Sequence, residues 1–186
     1  MDKPRIYLAG KISKNGWRDE ILGHRSGAVE GSDAFNPEHI EVREDFIYTG
    51  PFFISCDHGC FHGDNQMGVC ASTNHGPSEH GPLIGNGCSG SEAGPQEKAA
   101  RRKEVFRLNI LRIERSTHIF AYIEDLTAHG TLFELGAAFR AGKPIGIGFP
   151  EKFDASSLWF AQQSAMRRYF GSPNVCWRMF RRDIRS

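Results

Sequence analysis

Two short apolar runs with a glycine-opened helix between them constrain this chain more than any other feature. Thr117–Glu124 (THIFAYIE) and Ile145–Phe149 (IGIGF) have the length and near-continuous apolar character of strands buried on both faces. Between them lies Gly130–Lys143, GTLFELGAAFRAGK. Gly130 and Thr131 open a helix that runs to Ala141. Gly142 stands where a glycine ends a helix, and Pro144 prevents its continuation. One acidic residue, Glu134, falls on what this reading makes the first helical turn.

The flanking segments extend the pattern. Arg5–Ala9 (RIYLA) reads as a buried parallel strand that opens into a turn at Gly10. Ligand crevices in open α/β sheets lie beyond the carboxyl ends of strands, which makes Gly10, Lys11 and Ser13 candidates for a pocket wall. No G-x-G-x-x-G follows, so the dinucleotide fingerprint is absent. Asn15 can cap a helix starting near Gly16–Trp17. Pro95 suits a first helical position, and Val105, Phe106, Leu108, Ile110, Leu111 and Ile113 recur at helical spacing up to Arg115. Asp154 or Ser156 can cap a last helix over Leu158–Tyr169, with Leu158, Phe160, Ala161, Ala165, Met166 and Phe170 inward. Asn174–Arg182 is a closing element of unassigned type. Alternating strands and helices predict an α/β fold: a flavodoxin-like or Rossmann-like parallel sheet with helices on both faces. A single domain over residues 1–186 is expected. The stretch at about 50–94 lacks apolar period and is rich in Gly, Ser, Asn, His and Pro, which fits a long inserted loop or lid.

Composition narrows the function classes. At 186 residues with 39% hydrophobic residues, the chain can bury a real core. A formal net charge of +1 argues against a dedicated nucleic-acid-polymer binder. The local basic run Arg178, Arg181, Arg182 and Arg185 reads as a solvated rim. No apolar run reaches membrane-spanning length, so no membrane partner is expected. The N-terminus enters a strand directly, without a signal-peptide pattern, and the five cysteines are an odd number. Both observations point to a cytoplasmic location.

The spacing Thr131-x-x-Glu134 is by itself a capping box, in which Glu134 would merely satisfy the helix start. A carboxylate near a helix N-terminus can equally be a nucleophile or stabilise a cationic transition state. Context favours the second role. The preceding strand ends in Glu124-Asp125, which brings further carboxylates to the same sheet edge. Two carboxylates flanking a sugar bond are what glycoside cleavage uses.

Taken together, Ile6–Gly10 (IYLAG), Tyr122-Ile123-Glu124-Asp125 and GTLFELGAAFRAGKPI at 130–145 resemble the nucleoside 2-deoxyribosyltransferase superfamily, which includes nucleoside monophosphate N-glycosidase relatives. The resemblance covers under half of the chain. It implies Glu134 as catalytic nucleophile, Tyr7 as a tyrosine bonded to it, and Asp125 or Glu124 as the acid near the leaving base. Asn109 falls near a substrate-binding aspartate of the family, a departure that keeps hydrogen bonding but removes acidity. The mechanism implied is retaining and two-step on a nucleoside or nucleotide, by transfer or hydrolysis, without a cofactor. The backbone at Gly130-Thr131 and Gly10 could hold a 5′-hydroxyl or 5′-phosphate. A homo-oligomer with sites near subunit contacts is also implied, and Trp177, Phe180, Arg181 and Arg182 could serve there.

Two features stay open at this level. Cys56–Gly63, CDHGCFHG, offers four soft ligands, but their alternating spacing is unlike the paired cysteines of a structural zinc site. Asp57, His58 and His62 could instead line the substrate pocket, which the similarity of Tyr48–Cys60 (YTGPFFISCDHGC) to a branch of the same superfamily implies, with a metal site or a plain polar loop as alternatives. Trp17 could stack a base, although aromatics at such positions are more often core. Cys176 is expected to be buried or inert. The competing function classes are a nucleotide-sensing module that has kept the fold and a metal-stabilised interaction domain.

Overall fold

The structure is a computed structural model that describes residues 2–11, 16–23, 36–52 and 95–185, with backbone only for 95–102. The chain runs β1 (Arg5–Ala9), α1 (Trp17–Leu22), β2 (Glu41–Val42), β3 (Ile47–Gly50), α2 (Pro95–Arg115), β4 (His118–Tyr122) and α3 (His129–Arg140). It continues with β5 (Ile145–Phe149), a 3₁₀ turn (Ser156–Leu158), α4 (Trp159–Gln162), β6 (Arg167–Phe170) and α5 (Pro173–Asp183). Among the described residues the strands form one six-stranded sheet in the order β2-β3-β1-β4-β5-β6. The short β2 is antiparallel to β3, and every other pair is parallel. Counted among themselves, the parallel strands run second, first, third, fourth, fifth. That is the flavodoxin-like order, as expected, and its topological switch lies between β1 and β4.

Side-chain alternation divides the core into two layers. On one face Ile6, Leu8, Phe120 and Tyr122 pack with Trp17 and Leu22 of α1 and with Trp177 and Phe180 of α5. On the other, Tyr7, Ala9, Ile119, Ala121 and Ile147 pack with Ile113 of α2 and with Leu135 and Ala138 of α3. The IGIGF strand shows why its pattern matters. Ile145, Ile147 and Phe149 share the α3 layer, while Gly146 and Gly148 leave the α5 side bare. A Cβ on Gly146 would lie 2.4 Å from the Phe180 ring, and one on Gly148 2.9 Å from Cys176 Cβ. Helix α5 thus sits almost directly on the strand backbone. Cys176 is fully buried there, as expected.

Several expected boundaries shift. Helix α3 begins at His129 rather than Gly130, so Glu134 is in its second turn. β4 ends at Tyr122, which leaves Glu124 and Asp125 in the connection to α3. The expected helix over Leu158–Tyr169 is a 3₁₀ turn, one turn of α4 and then β6. Leu158 is buried, but Trp159 and Phe160 are 63% and 77% exposed, and Met166 and Phe170 are also exposed. The apolar spacing imitates a helix. The backbone of Arg167–Phe170 instead completes its hydrogen bonds by pairing with β5 at the sheet edge. Asp154 caps no helix: the N-cap of the 3₁₀ turn is Ala155, and Asp154 Oδ1 accepts from Ser156 N–H at 2.9 Å in a local turn. The unassigned closing element is α5, capped by Ser172, whose Oγ accepts from Val175 N–H. Trp177 and Phe180 are buried in its core-facing side and are not available to a partner subunit. Arg181 and Arg185 both pair with Asp45 instead of forming a plain solvated rim. Phe106, expected inward on α2, is half-exposed against the Phe133 ring. Residues 53–94 of the expected insertion, with Ser13, Asn15 and Phe61, lie outside the described residues.

Adding one methyl to β5 tests the close approach of α5. Gly146→Ala is expected to destabilise the fold by about 1–3 kcal/mol, the cost of overpacking a filled core. The drop in denaturation midpoint measures it, and an unchanged midpoint would contradict this packing.

Candidate active site

The switch point places the carboxyl ends of β1 and β4 side by side, with the N-terminal end of α3 above them. Tyr7 is the third residue of β1, and alternation turns it toward the α3 layer, where it is fully buried. Its hydroxyl donates to Glu134 Oε1 at 2.6 Å. Long side chains on a helix lean toward its N-terminus, so Glu134 reaches back from the second turn to the end of β1. Burial pushes its carboxyl up from an ordinary value of 4.5 to about 7. Three influences oppose that rise: the Tyr7 hydroxyl, the positive charge of Arg18 and the backbone N–H of Gly10. Tyr7 is itself raised well above its ordinary value, first by burial and then by the Glu134 charge, so it stays a neutral donor.

No capping box forms. Ala128 occupies the N-cap position and makes no side-chain cap, while Thr131 is buried one turn in. The helix start is set instead by Asp125. Its Oδ1 accepts from the N–H of Thr127 at 2.6 Å and from the Thr127 hydroxyl. This is a local turn of the Asx type. The Thr127 carbonyl then takes His129 N–H at 2.7 Å. Asp125 Oδ2 also faces Lys11 Nζ at 3.3 Å. The Thr127 hydrogen bonds, with Lys11 adding to them, lower the Asp125 pKa and keep the carboxylate ionised.

These groups surround a cleft of about 290 Å³. Glu134 and Thr131 line it from α3, Gly10 and Lys11 from the end of β1, and Thr127 through Gly130 from the start of α3. Asn109 of α2 also lines it. Its side chain is buried, and its Oδ1 has no hydrogen-bond partner among the described residues. An amide oxygen in that state is an acceptor waiting for an O–H or N–H. A Cβ on Gly130 would meet no described residue within 4 Å.

The structure therefore brings together Tyr7, Gly10, Lys11, Asn109, Gly130, Thr131 and Glu134. Asp125 stands at the rim, tied to Lys11. Glu124 is exposed and does not line the cleft. Trp17 is on the opposite face, 3% exposed and packed edge-on against Phe120 at 5.9 Å. It belongs to the core and does not stack a ligand. Asp57, His58 and His62 fall outside the described residues, as does the rest of the Cys56–Gly63 cluster. Among the described residues no group of three or more His, Cys, Asp or Glu could hold a metal ion.

Sequence reasoning passed over Arg18 and His129. Arg18 is buried, with Nε on Leu8 O at 2.8 Å, one terminal nitrogen on Lys11 O at 2.8 Å and the other on Gly10 O at 2.6 Å. Its guanidinium lies 4.6 Å from the centre of the Trp17 ring. Nothing in a weakly patterned helix marks one arginine as buried. His129 directly precedes Gly130 in the motif, and its place at the first helical position could have been noticed.

A larger groove of about 430 Å³ lies between α3 and α4, lined by Leu132, Leu135, Phe139, Leu158 and Phe160 among others. It contains no titratable group and lies apart from the Tyr7–Glu134 pair. In comparisons with known proteins, no family model matches this chain and no curated protein does. No described helix is long and apolar enough to cross a membrane.

Replacing the acid by its amide tests the desolvation directly. Because the folded-state pKa of Glu134 lies above the unfolded value, its ionisation costs stability above pH 7, and that cost fades as pH falls toward 4.5. Glu134→Gln is expected to raise stability by about 1–3 kcal/mol at pH 8 and by much less at pH 4.5. Denaturant titrations at the two pH values measure the difference, and a gain independent of pH would contradict the shifted carboxyl.

Proposed function

We propose that this protein breaks the N-glycosidic bond of a nucleoside or nucleotide, by hydrolysis or by transfer to a second base, with Glu134 as nucleophile. The observation that carries this reading is the Tyr7–Glu134 hydrogen bond of 2.6 Å at the floor of a cleft on the topological switch point. A carboxylate that only capped a helix would bond to its own helix start. This one is held by the neighbouring strand and lines open space. Among the described residues Asn109 Oδ1 has no partner and a Cβ on Gly130 would meet nothing within 4 Å, which supports a bound polar molecule. The resemblance around Gly130–Ile145 supports the sugar–base bond as the one attacked.

In the first half-reaction the Glu134 carboxylate attacks the anomeric carbon as the bond to the base breaks through an oxocarbenium-like state. A glycosyl ester of Glu134 results. Water or an acceptor base then attacks the same carbon, and retention follows from the two inversions. The Tyr7 hydroxyl holds the attacking oxygen in place and eases its departure in the second half. The N–H groups of Gly130 and Thr131, on the cleft wall at the start of α3, would hold a 5′-hydroxyl or 5′-phosphate.

Incubation with a panel of nucleosides, 5′-monophosphates and NAD, with and without an acceptor base, tests this. Free base is expected from at least one donor, and Glu134→Gln should lose roughly three orders of magnitude or more. Since only the ionised carboxylate attacks, kcat/KM should fall as pH drops through about 7. Turnover of no donor, or an unimpaired Glu134→Gln, would leave a nucleotide-sensing module as the better reading.

The same reading includes a homo-oligomer. The apolar groove beside exposed Phe139, Trp159 and Phe160 is the surface a second copy would cover. Sedimentation velocity should show a dimer or larger species that dissociates in Phe160→Glu; a monomeric wild type removes this part.

A further inference from the structure

The glycosidic reading leaves one chemical requirement unmet. A departing purine or pyrimidine anion is a poor leaving group, so a proton has to reach the base as the bond breaks. Of the two acids expected to supply it among the described residues, Asp125 is held ionised by Thr127 and Lys11 and stands at the rim, and Glu124 does not line the cleft. Asn109 has no proton to give as an acid. Lys11 is engaged with the Asp125 carboxylate. Glu134 must be ionised to attack.

We infer that His129 is the proton donor to the leaving base, an inference that rests on the glycosidic reading above. His129 lines the cleft from the first residue of α3, and its side chain is exposed and makes no hydrogen bond to another described residue. The turn built by Asp125 and Thr127 fixes its backbone. Asp125 is thereby a positioning residue. His129 and Glu134 are five residues apart on α3, about 7.5 Å along the axis and about 140° around it, so they do not share a face of the helix. Both border the same cleft at the N-terminal end of α3, and a sugar seated over that end would lie between the Glu134 carboxyl and the imidazole. Imidazole is the side chain that most readily carries and releases a proton near neutrality.

The proton and electron count closes. As Glu134 oxygen bonds to the anomeric carbon, the C–N bonding pair leaves with the base and picks up the imidazolium proton. Neutral His129 then takes a proton from the incoming water, or from an acceptor base, as the C–O bond to Glu134 breaks. The carboxylate and the imidazolium are both restored.

Leaving-group dependence tests this. A 7-methylguanine or 3-methylcytosine base already carries the positive charge and departs without a donated proton. Guanosine and 7-methylguanosine, and cytidine and 3-methylcytidine, are compared as ribo- and 2′-deoxyribonucleosides and their 5′-monophosphates. His129→Ala is expected to slow the unmethylated donors roughly 10²- to 10⁴-fold while leaving the methylated ones within a few-fold. Its unfolding midpoint should match that of the wild type, and Lys11→Met should affect both classes alike. Equal losses on both classes in His129→Ala would overturn the acid role yet leave Glu134 as nucleophile. A selective loss in Lys11→Met in place of His129→Ala would overturn it in the same way. Failure of the wild type to cleave any donor would remove the glycosidic reading and this inference with it.

Discussion

A buried guanidinium at the carboxyl end of β1 holds the candidate site together. Arg18, from the first turn of α1, donates to the carbonyls of Leu8, Gly10 and Lys11. The bonds to Leu8 and Gly10 are buried, where an unpaired carbonyl would be costly. Held this way, the chain turns at Gly10 close against the Trp17 ring, where any Cβ would come within 2.8 Å. The turn leaves the Gly10 N–H facing Glu134 and Lys11 facing Asp125. One side chain thus ties α1, β1 and the mouth of the cleft to each other, and its charge reaches the carboxyl on the far side of the strand.

The carboxyl itself is a balance of opposing forces. Burial against the β1–α3 layer favours the protonated form. The Tyr7 hydroxyl, the Arg18 charge and the Gly10 N–H favour the ionised form, and burial wins by enough to leave the group titrating near neutrality. A fully solvated glutamate would be ionised but held by nothing, and one sealed in the core without donors would stay protonated. The observed compromise would suit the proposed nucleophile, which has to bond to carbon and later leave it. It depends on strand and helix meeting at a topological switch, because only there do two strand ends and a helix start leave a gap.

Much of the architecture was legible. IGIGF could be recognised as a buried strand because apolar and glycine positions alternate with period two, and GTLFELGAAFRAGK as a helix because its ending glycine and proline leave little choice. The stretch after Asp154 misled for a physical reason. Its aromatics at three- and four-residue spacing satisfy a helical template, but Trp159 and Phe160 face outward, and Arg167–Phe170 pairs with β5. Hydrogen-bond demand at a sheet edge is a tertiary quantity that local periodicity does not carry. Trp17 shows the converse. An aromatic near a pocket wall suits a stacking role by sequence, yet alternation along β1 and β4 puts its contacts on the opposite layer.

The residue types themselves determined a mostly parallel α/β sheet, the loop that follows β1, and Glu134 as an acid near a helix start, since strand period, helix ends and an isolated acid in a glycine-rich start are local properties. Tertiary structure alone decided what the acid does with its partners. The capping box that Thr131-x-x-Glu134 allowed does not form because the N-cap is Ala128, three residues before Thr131, and Asp125 builds the turn before it. Glu134 is thereby free to bond to Tyr7, 127 positions away in the chain. Likewise, burial of Arg18, ionisation of Asp125 and the position of His129 beside the cleft follow from which strand ends meet. Strand order is fixed by long-range packing, and no window of the sequence contains it.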